Sequence, residues 1–433
     1  MKVLMFGWEF PPYISGGLGT ACFGLTRHMT EQGTNILFVL PHIKGEKAEN
    51  SFLDMIAANK VDSSKSRIRK IAPGSKLKYF LVDSPLRPYM VDKTYQAKLE
   101  AINKINDRIS EVTHRKTTAN SVLDLSNTYG QDLITEVARY AYTGGYLGTK
   151  ETFDIIHAHD WMTFPAGIEA KKASGKQLVI HVHATEFDRS GENVNRQIYD
   201  IERYGMDMAD RIIAVSHRTK SIIVERYDQA PEKVVVIHNA VMKEAKLAHA
   251  RMRKGFTEKI VLFLGRITTQ KGPDYFVEAA NLVLQSMQNV RFVMAGTGDM
   301  LPKMIERVAE LRMQGHFHFT GFLKGAELES IFSMSDLYVM PSVSEPFGIT
   351  PFEAMLHGVP VIISRQSGIA EVLTHVLTTD FWDIEKLASS IISVLSHPEL
   401  AETLAEAGHN ELQKISWHHA AREVNNLYKE MLG

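Results

Sequence analysis

Charged side chains that follow apolar strands are the first candidates for chemistry in this sequence. Arg266 and Lys271 lie in the segment GRITTQKG, directly after the apolar run KIVLFL. Two cations at the carboxyl end of a strand suit a pyrophosphate, because arginine grips two oxygens and lysine adds a point charge. Such cations also stabilise a departing diphosphate in the way a metal ion would. A solvated pair of surface cations is the alternative interpretation.

Two glutamates, Glu345 and Glu353, frame the segment EPFGITPFE, which follows the strand-like run DLYVMPS. Thr350 and Glu353 have the form of a capping box, with Pro351 at the first helical position, so a structural role is available to Glu353. Glu345 lies in the loop before this helix and has no such role. The N–H groups at the start of the helix are suited to phosphate.

A glycine-rich loop, SGGLG at 15–19, lies between the first strand and the first helix. Glycines there let the backbone approach a ligand, and the helix amino terminus offers N–H groups to an anion. The loop lacks the G-x-G-x-x-G spacing of dinucleotide-binding proteins. From the pattern alone, Gly16 and Gly17 either face a phosphate or form a plain turn.

Two His-x-His segments end strands: His157 and His159, followed by Asp160, and His181 and His183. Alternate strand residues point the same way, so such pairs can bind metal. Few carboxylates and no cysteine lie near them in the sequence. We therefore favour a histidine that hydrogen-bonds a hydroxylated ligand, with another in each pair a core residue.

The bulk composition is that of a soluble globular enzyme. The 433 residues are 44% hydrophobic and 23% charged, with a formal net charge of −1. This balance gives no general attraction to nucleic acid or to an anionic membrane. Cys22 is the single cysteine, which excludes an internal disulfide. No apolar run reaches the ~18 residues that a membrane span needs, and the first residues resemble a buried strand more than a secretory signal. We expect a cytoplasmic enzyme.

Strand-like and helical runs alternate in two series, which predicts an α/β chain of two Rossmann-like parallel-sheet domains. We place them at about 1–242 and 243–412, with a carboxyl-terminal helix in 413–433 returning to the first domain. The stretch 43–150 is less regular and includes the strand-like KLKYFLVD, a basic run at 65–70 and a charged helical stretch at 92–115. Parallel sheets place ligands at the carboxyl ends of their strands, so the crevice between the domains is the expected active site.

Together these motifs resemble the retaining glycosyltransferases of GT-B fold, in particular the glycogen and starch synthases. The resemblance covers nearly the whole chain and is strongest in EFPPYISGGLG, HAHDW, HVHATEFDRSG, GRITTQKG and PSVSEPFGITPFEAMLHGVPVI. The two glutamates separated by seven residues are the family's signature. The long segment before HAHDW, which includes SPLRPYMVDKTY, is closer to the glucan synthases than to the shorter transferases.

The resemblance implies a role for each matching residue. Glu353 would accept hydrogen bonds from ribose hydroxyls, and Glu345 would contact the donor sugar near the reacting carbon. His183 would touch the donor sugar, and Asp160 would face the acceptor or the sugar. Catalysis is assigned to Glu345, His183, Arg266 and Lys271. Donor binding is assigned to Gly16, Gly17, Arg266, Lys271, Glu345, Phe347, Gly348, Ile349, Thr350 and Glu353.

The implied reaction is hexosyl transfer with retention of configuration, of glucose from ADP-glucose or UDP-glucose to an α-glucan. The leaving diphosphate takes the acceptor's proton on the same face, so neither a protein nucleophile nor a metal cofactor is required. Two departures bear on this. Ile14 and Ser15 stand where bacterial glycogen synthases have Lys-Thr, which leaves the choice of donor open. Ser367-Gly368 stands where a glycine pair is common, which makes a close backbone approach there less certain.

Three rival functions remain. A transferase of the same fold could glycosylate a lipid or a small molecule, with the stretch 92–115 as an amphipathic basic helix. A metal-dependent hydrolase could use the His-x-His segments, and a sensor would bind nucleotide sugars without turnover. The nucleotide base, the acceptor, the linkage and the oligomeric state are not fixed by the sequence.

Overall fold

The computed structural model describes residues 1–11, 16–42, 77–83, 131–242 and 254–433. Several sequence features lie outside these ranges: Ile14 and Ser15, the basic run at 65–70, the segment SPLRPYMVDKTY, the helical stretch 92–115 and most of the predicted linker.

The first sheet has seven strands in the order β3-β2-β1-β4-β5-β6-β7. Its central pairs, β1 with β2 and β1 with β4, are parallel. Continuous apolar runs form these strands because both faces of the sheet are covered. The strands are β1 Lys2–Phe6, β2 Asn35–His42, β3 Leu77–Asp83, β4 Ile155–His159, β5 Leu178–Val182, β6 Arg211–Ala214 and β7 Val234–Val236.

The second sheet has six strands in the order β10-β9-β8-β11-β12-β13, and all neighbouring strands in it are parallel. This is the strand order of a Rossmann sheet, in which the order of the strands reverses between the first and the fourth strand. Here that switch point lies between β8 and β11. The strands are β8 Lys259–Leu264, β9 Val290–Ala295, β10 Phe317–Gly321, β11 Leu337–Met340, β12 Val361–Ser364 and β13 Leu377–Thr379.

Helices connect the strands, as parallel pairing requires. In the first part of the chain they are α1 Gly17–Glu31, α2 Gln131–Lys150, α3 Phe164–Ser174, α4 Glu186–Ser190, α5 Arg196–Met208 and α6 His217–Tyr227. In the second part they are α7 Pro273–Ser286, α8 Leu301–Glu310, α9 Ala326–Met334, α10 Thr350–Leu356, α11 Ile384–Ser396, α12 Pro398–Leu412 and α13 Trp417–Leu432. None of the helices in the described ranges is long and apolar enough to cross a membrane.

Several predicted bounds were displaced. Helix α1 begins at Gly17, inside the loop predicted at 15–19, because the glycines themselves form its first turn. Helix α2 falls in the stretch that we called less regular. Its Gly144 lies against the backbone of Ala166 in α3, and such small contact residues weaken the apolar period that marks a helix. Strand β13 is three residues long and has no apolar pattern of its own.

The contacts group the chain into two compact units. One comprises residues 1–181, 201–212 and 425–433, and the other comprises 182–200 and 213–424. The last turns of α13 belong to the first unit, where Asn425 accepts a hydrogen bond from Thr34 at 2.7 Å and donates to Gln32 at 3.0 Å. Tyr428 lies against His157 in the same unit. The predicted domain boundary at 242/243 stays a prediction.

A close backbone approach beside α7 generates a stability prediction. Gly272 has a φ of 64°, and a Cβ there would collide with the backbone oxygen of Pro341. We expect Gly272→Ala to lower the free energy of unfolding by ~2 kcal/mol or more, from a disfavoured dihedral plus the collision. Urea unfolding measures it. Gly315→Ala, at an open and exposed position, is the control, and equal losses in both variants would contradict the prediction.

Candidate active site

The carboxyl ends of β8 and β11 bring two of the predicted site residues together. These strands are parallel neighbours, with Tyr338 opposite Leu262. Lys271 ends the short 3-10 helix Thr269–Lys271 after β8, and Glu345 lies in the loop after β11. The Lys271 Nζ forms an ion pair with the Glu345 carboxylate, which is only 6% exposed. The predicted cation and acid therefore meet at the switch point of the second sheet.

Hydrogen bonds around this pair fix both loops. Ser342 donates its hydroxyl to the same Glu345 oxygen at 3.2 Å. Arg266 donates to the Gln270 side chain at 3.1 Å, and the Gln270 carbonyl accepts the Val343 N–H at 2.9 Å. Gln270 is buried and was not singled out by the sequence analysis. It links the loop that carries the cations to the loop that carries Glu345.

A cavity opens beside this pair. Its walls include Lys271, Tyr338, Ser342 and Thr350. A cation, hydroxyls and the start of α10 therefore line one concave surface. Ser342 and Tyr338 already donate their hydroxyl protons, to Glu345 and to the Leu264 carbonyl, so Lys271 is the group on this surface that would attract an anion.

The loop at 345–349, here called the signature loop, is held in place by hydrogen bonds to three consecutive backbone carbonyls. Glu345 accepts the N–H of Gly368 at 2.9 Å, and Phe347 accepts the N–H of Ile369 at 2.8 Å. Between them, Pro346 accepts the Ser216 hydroxyl at 2.6 Å. A Cβ on Gly368 would collide with the Pro346 oxygen. Gly368 therefore packs against the backbone of Pro346 where a side chain would not fit, and the approach of this loop to a ligand stays a prediction.

The capping box predicted for Thr350 and Glu353 is wrong. Helix α10 begins at Thr350, and the residue before it, Ile349, is helical (φ −85°, ψ −29°) and has no side-chain cap. Thr350 thus lies in the first turn instead of at the cap position, and its hydroxyl hydrogen-bonds Tyr338. The structural role that the sequence offered to Glu353 is absent. Gly348, just before this helix, has a φ of 94°.

Burial dominates the electrostatics of Glu353. Removal from water raises the pKa of its carboxyl to about 7, with a smaller contribution from the charge of Glu329, while His357 acts in the opposite direction. The carboxyl is thus poised to be neutral or charged near pH 7. A ligand that donates hydrogen bonds to it would favour the charged form.

His183 follows β5 directly, and burial lowers the pKa of its imidazole to about 3. The ring is therefore neutral near pH 7, so one of its nitrogens can donate a hydrogen bond and the other can accept one. This fits a hydrogen-bonding histidine better than a cationic one.

The other three strand-end histidines form a buried stack. His157 and His159 lie 4.3 Å apart between ring centroids at 19°, and His159 and His181 lie 5.2 Å apart at 28°. Their nitrogens are close enough for a shared ion. However, nitrogen lone pairs lie in the ring plane, so stacked rings cannot aim them at one point. The geometry favours core histidines, with His157 also hydrogen-bonded to Tyr428.

Asp160 directly follows β4 and has a left-handed backbone conformation, with a φ of 60°, and its exposure is 7%. A non-glycine residue in this region is uncommon and marks functional sites. Its carbonyl accepts the Thr163 N–H at 3.0 Å and its N–H donates to His181 at 2.9 Å, which hold the turn. The structure thus gives Asp160 a distinctive backbone at the switch point of the first sheet, where β1 and β4 are neighbours.

Gly16 and Gly17 begin α1, as N-cap and first helical residue, and a Cβ on Gly17 would meet open space. The sequence analysis did not single out Glu9, which is 1% exposed and accepts the Gly19 N–H at 3.3 Å. The signal available in the sequence was an acidic residue shortly before a glycine-rich segment. This carboxylate occupies one N–H of the turn, and the phosphate role of Gly16 and Gly17 stays a prediction.

His217, His238 and Glu371 form a second cluster that the sequence did not indicate. Glu371 accepts the N–H groups of His217 and Arg218 at 2.8 Å and lies 3.1 Å from His238 Nε2. The carboxylate therefore caps α6, where the positive end of the helix dipole disfavours a cation. This cluster supports the helix that contacts Pro346.

Two parallel α/β sheets in Rossmann order, with a lysine and glutamate pair at a strand-end switch point, define the class of GT-B glycosyltransferases. Comparison with known proteins agrees. Residues 247–411 match the family described as glycosyl transferases group 1, and residues 146–244 match glycosyltransferase family 4. This match places residues 247–411 in the group 1 glycosyltransferases, and the protein is a glycosyltransferase.

Similar proteins span the whole chain. An uncharacterized glycosyltransferase of Methanocaldococcus jannaschii is 28% identical over 100% of both chains. A glycogen synthase of Mycobacterium tuberculosis is 24% identical over 99% of this chain and 94% of its own. The crystal structure of Anabaena HepE in complex with UDP and glucose has a TM-score of 0.66 at 16% identity, covering 99% and 100% of the two chains. The last likeness supports the fold alone.

The raised pKa of Glu353 predicts a pH-dependent stability. A raised pKa means that the folded protein holds its proton more tightly than the unfolded chain, whose ordinary value is 4.5. The stabilisation is complete below pH 4.5 and is lost as the pH rises through about 7. We expect wild type to lose ~1 to 2 kcal/mol relative to Glu353→Gln between pH 5 and pH 8.

Urea unfolding at both pH values measures this difference. Glu306→Gln, an exposed glutamate of α8, is the control and should follow wild type. Parallel pH profiles for wild type and Glu353→Gln would show that the carboxyl titrates normally.

Proposed function

We propose that this glycosyltransferase transfers glucose from ADP-glucose or UDP-glucose to an α-glucan with retention of configuration and without a metal cofactor. The observation that carries the proposal is the Lys271–Glu345 pair at the ends of β8 and β11. The full-length likeness to a glycogen synthase supports the glucan acceptor. The activity places the enzyme in the cytoplasm, where nucleotide sugars are made.

The cationic side chains would bind the donor diphosphate. Lys271 and Arg266 both follow β8, and the Lys271 charge is presently matched by Glu345. A diphosphate bound beside Lys271 would compete with Glu345 for this lysine, because its oxygens carry more charge than one carboxylate. Arg266 would add a fork of parallel donors. The two cations then neutralise charge that develops as the diphosphate departs.

Release of Lys271 would leave the buried Glu345 carboxylate free to accept hydrogen bonds from donor-sugar hydroxyls. Glu353 would accept the ribose hydroxyls, which would favour its charged form despite burial. The backbone of Phe347, Gly348, Ile349 and Thr350 would hold phosphate and sugar at the start of α10. Gly16 and Gly17 would add N–H groups from the first sheet, and Asp160 would face the sugar or acceptor.

The chemical step would need no protein nucleophile. The bond from the anomeric carbon to the diphosphate oxygen breaks, and a bond to the acceptor oxygen forms on the same face. The acceptor's proton moves to the departing diphosphate oxygen. Neutral His183 would contact the sugar, and its carbonyl would stabilise positive charge near the anomeric carbon.

Lys271→Ala tests the diphosphate contact. One charge-assisted hydrogen bond contributes ~1.5 to 3 kcal/mol, so we expect the Kd of the free nucleoside diphosphate to rise about 10- to 100-fold. Isothermal calorimetry measures it. Lys303→Ala, at an exposed lysine of α8, should bind as wild type does. Equal affinity in the Lys271 variant would remove this lysine from the site.

The function itself is tested by release of nucleoside diphosphate from ADP-glucose, UDP-glucose and GDP-mannose, with and without glycogen, in excess chelator. We expect glycogen-dependent release from one glucose donor. Glu345→Gln, which removes the acidic charge, serves as the inactive reference.

Turnover that ignores glycogen would overturn the glucan acceptor and favour a lipid or small molecule, which liposome flotation and soluble-acceptor assays would separate. Turnover that chelator abolishes would overturn the metal-free mechanism. Binding of a donor without turnover would favour the sensor.

A further inference from the structure

A buried hydrogen bond joins the chain segments of two proposed catalytic residues. Ser344, which precedes Glu345, donates its hydroxyl to an Asp188 oxygen at 2.6 Å, across 156 positions of sequence. Asp188 is 2% exposed and Ser344 is 8% exposed. A short bond to a buried carboxylate is costly to leave unmade, so it holds its two segments together.

The second oxygen of Asp188 fixes the segment that carries His183. It accepts the Thr185 N–H and the Thr185 hydroxyl, each at 2.8 Å. In return, the Thr185 hydroxyl accepts the Asp188 N–H at 3.3 Å, which completes a capping box on α4. Thr185 is two positions after His183. One carboxylate therefore contacts the neighbours of both His183 and Glu345.

Arg218 sets the direction of the shared hydrogen bond. Its guanidinium donates to the Ser344 hydroxyl oxygen at 3.0 Å. A hydroxyl has a single proton, and Arg218 can only donate, so the Ser344 proton must point to Asp188. The Arg218 backbone N–H donates to Glu371 at 2.8 Å, which fixes Arg218 at the start of α6.

The same helix also holds the next residue of the signature loop. Ser216 is the N-cap of α6, where its oxygen accepts the Thr219 N–H at 3.0 Å. Its proton goes to the Pro346 carbonyl at 2.6 Å. Glu345 is thus flanked on both sides by residues whose polar groups are held from the segments 185–188 and 216–218.

We propose that Asp188 and Ser344 are positioning residues that hold His183 and Glu345 in register for sugar transfer, with Arg218 orienting their shared hydrogen bond. The inference rests on the proposed function, which gives His183 and Glu345 their roles. Small displacements of reacting groups cost about 100-fold in rate. A capping box that only stabilised α4 would not need a bond to Ser344.

Ser344→Ala removes the link and leaves Glu345 and His183 unchanged. We expect kcat to fall about 10- to 100-fold, while the Kd of the nucleoside diphosphate, measured by calorimetry, changes less than about twofold. Ser344→Thr keeps the hydroxyl and should recover most of the lost kcat. Ser335→Ala is the matched control, because it removes a buried hydroxyl that donates to Ile331 at 2.7 Å within its own helix.

Asp188→Asn and the double variant with Ser344→Ala test whether the two residues act as one link. We expect the double variant to lose no more kcat than the worse single variant, since both remove the same interaction. Fully multiplicative losses would mean independent effects and would contradict the proposal. So would wild-type kcat in Ser344→Ala, or an equal fall in Ser335→Ala.

These outcomes are distinct from failure of the proposed function. Wild type that turns over a donor without elongating glycogen would overturn the glucan acceptor alone. The ratio of variant to wild-type kcat, measured with the acceptor that is used, still decides the positioning role.

Discussion

The loop after β11 depends on its own backbone carbonyls. Three consecutive residues, Glu345, Pro346 and Phe347, each have a carbonyl that accepts at least one hydrogen bond from another segment of the chain. Buried carbonyls must be satisfied, so the loop has little freedom to move while these donors stay in place. Glu345 can therefore be presented at 6% exposure without belonging to a helix or strand.

Because hydrogen bonds hold this loop in place, the loop and α10 can keep two acidic side chains, Glu345 and Glu353, close to each other in the sequence and shielded from water. Glu345 is buried beside Lys271, and burial raises the pKa of Glu353, only eight positions away, to about 7. A buried ion pair is weak evidence for stability, because desolvation offsets much of the attraction. Under the proposed function the pair would exchange partners, with the ligand replacing Glu345 at Lys271.

The two sheets contribute differently to the proposed chemistry. Both have the Rossmann order, and each has candidate residues at its switch point. In the second sheet these are charged side chains. In the first they are a glycine turn and Asp160, whose left-handed backbone is its most distinctive feature. His183 follows β5 of the first sheet and is kept neutral by burial, so under the proposed function it would act through hydrogen bonds.

The sequence by itself determined the fold class and most strands, because apolar runs and strand-end motifs are local patterns. It also determined which residue types meet at β8 and β11, since the carboxyl ends of parallel neighbours lie at one edge. Only the tertiary structure decided that α10 begins at Thr350 without a capping box, that three histidines stack, and that Glu9 contacts the first turn of α1. The link from Asp188 to Ser344 also depends on packing. Each of these features depends on a backbone dihedral angle or on a contact between segments that are distant in the sequence. The spacing of residues along the chain encodes neither the dihedral angles nor the contacts.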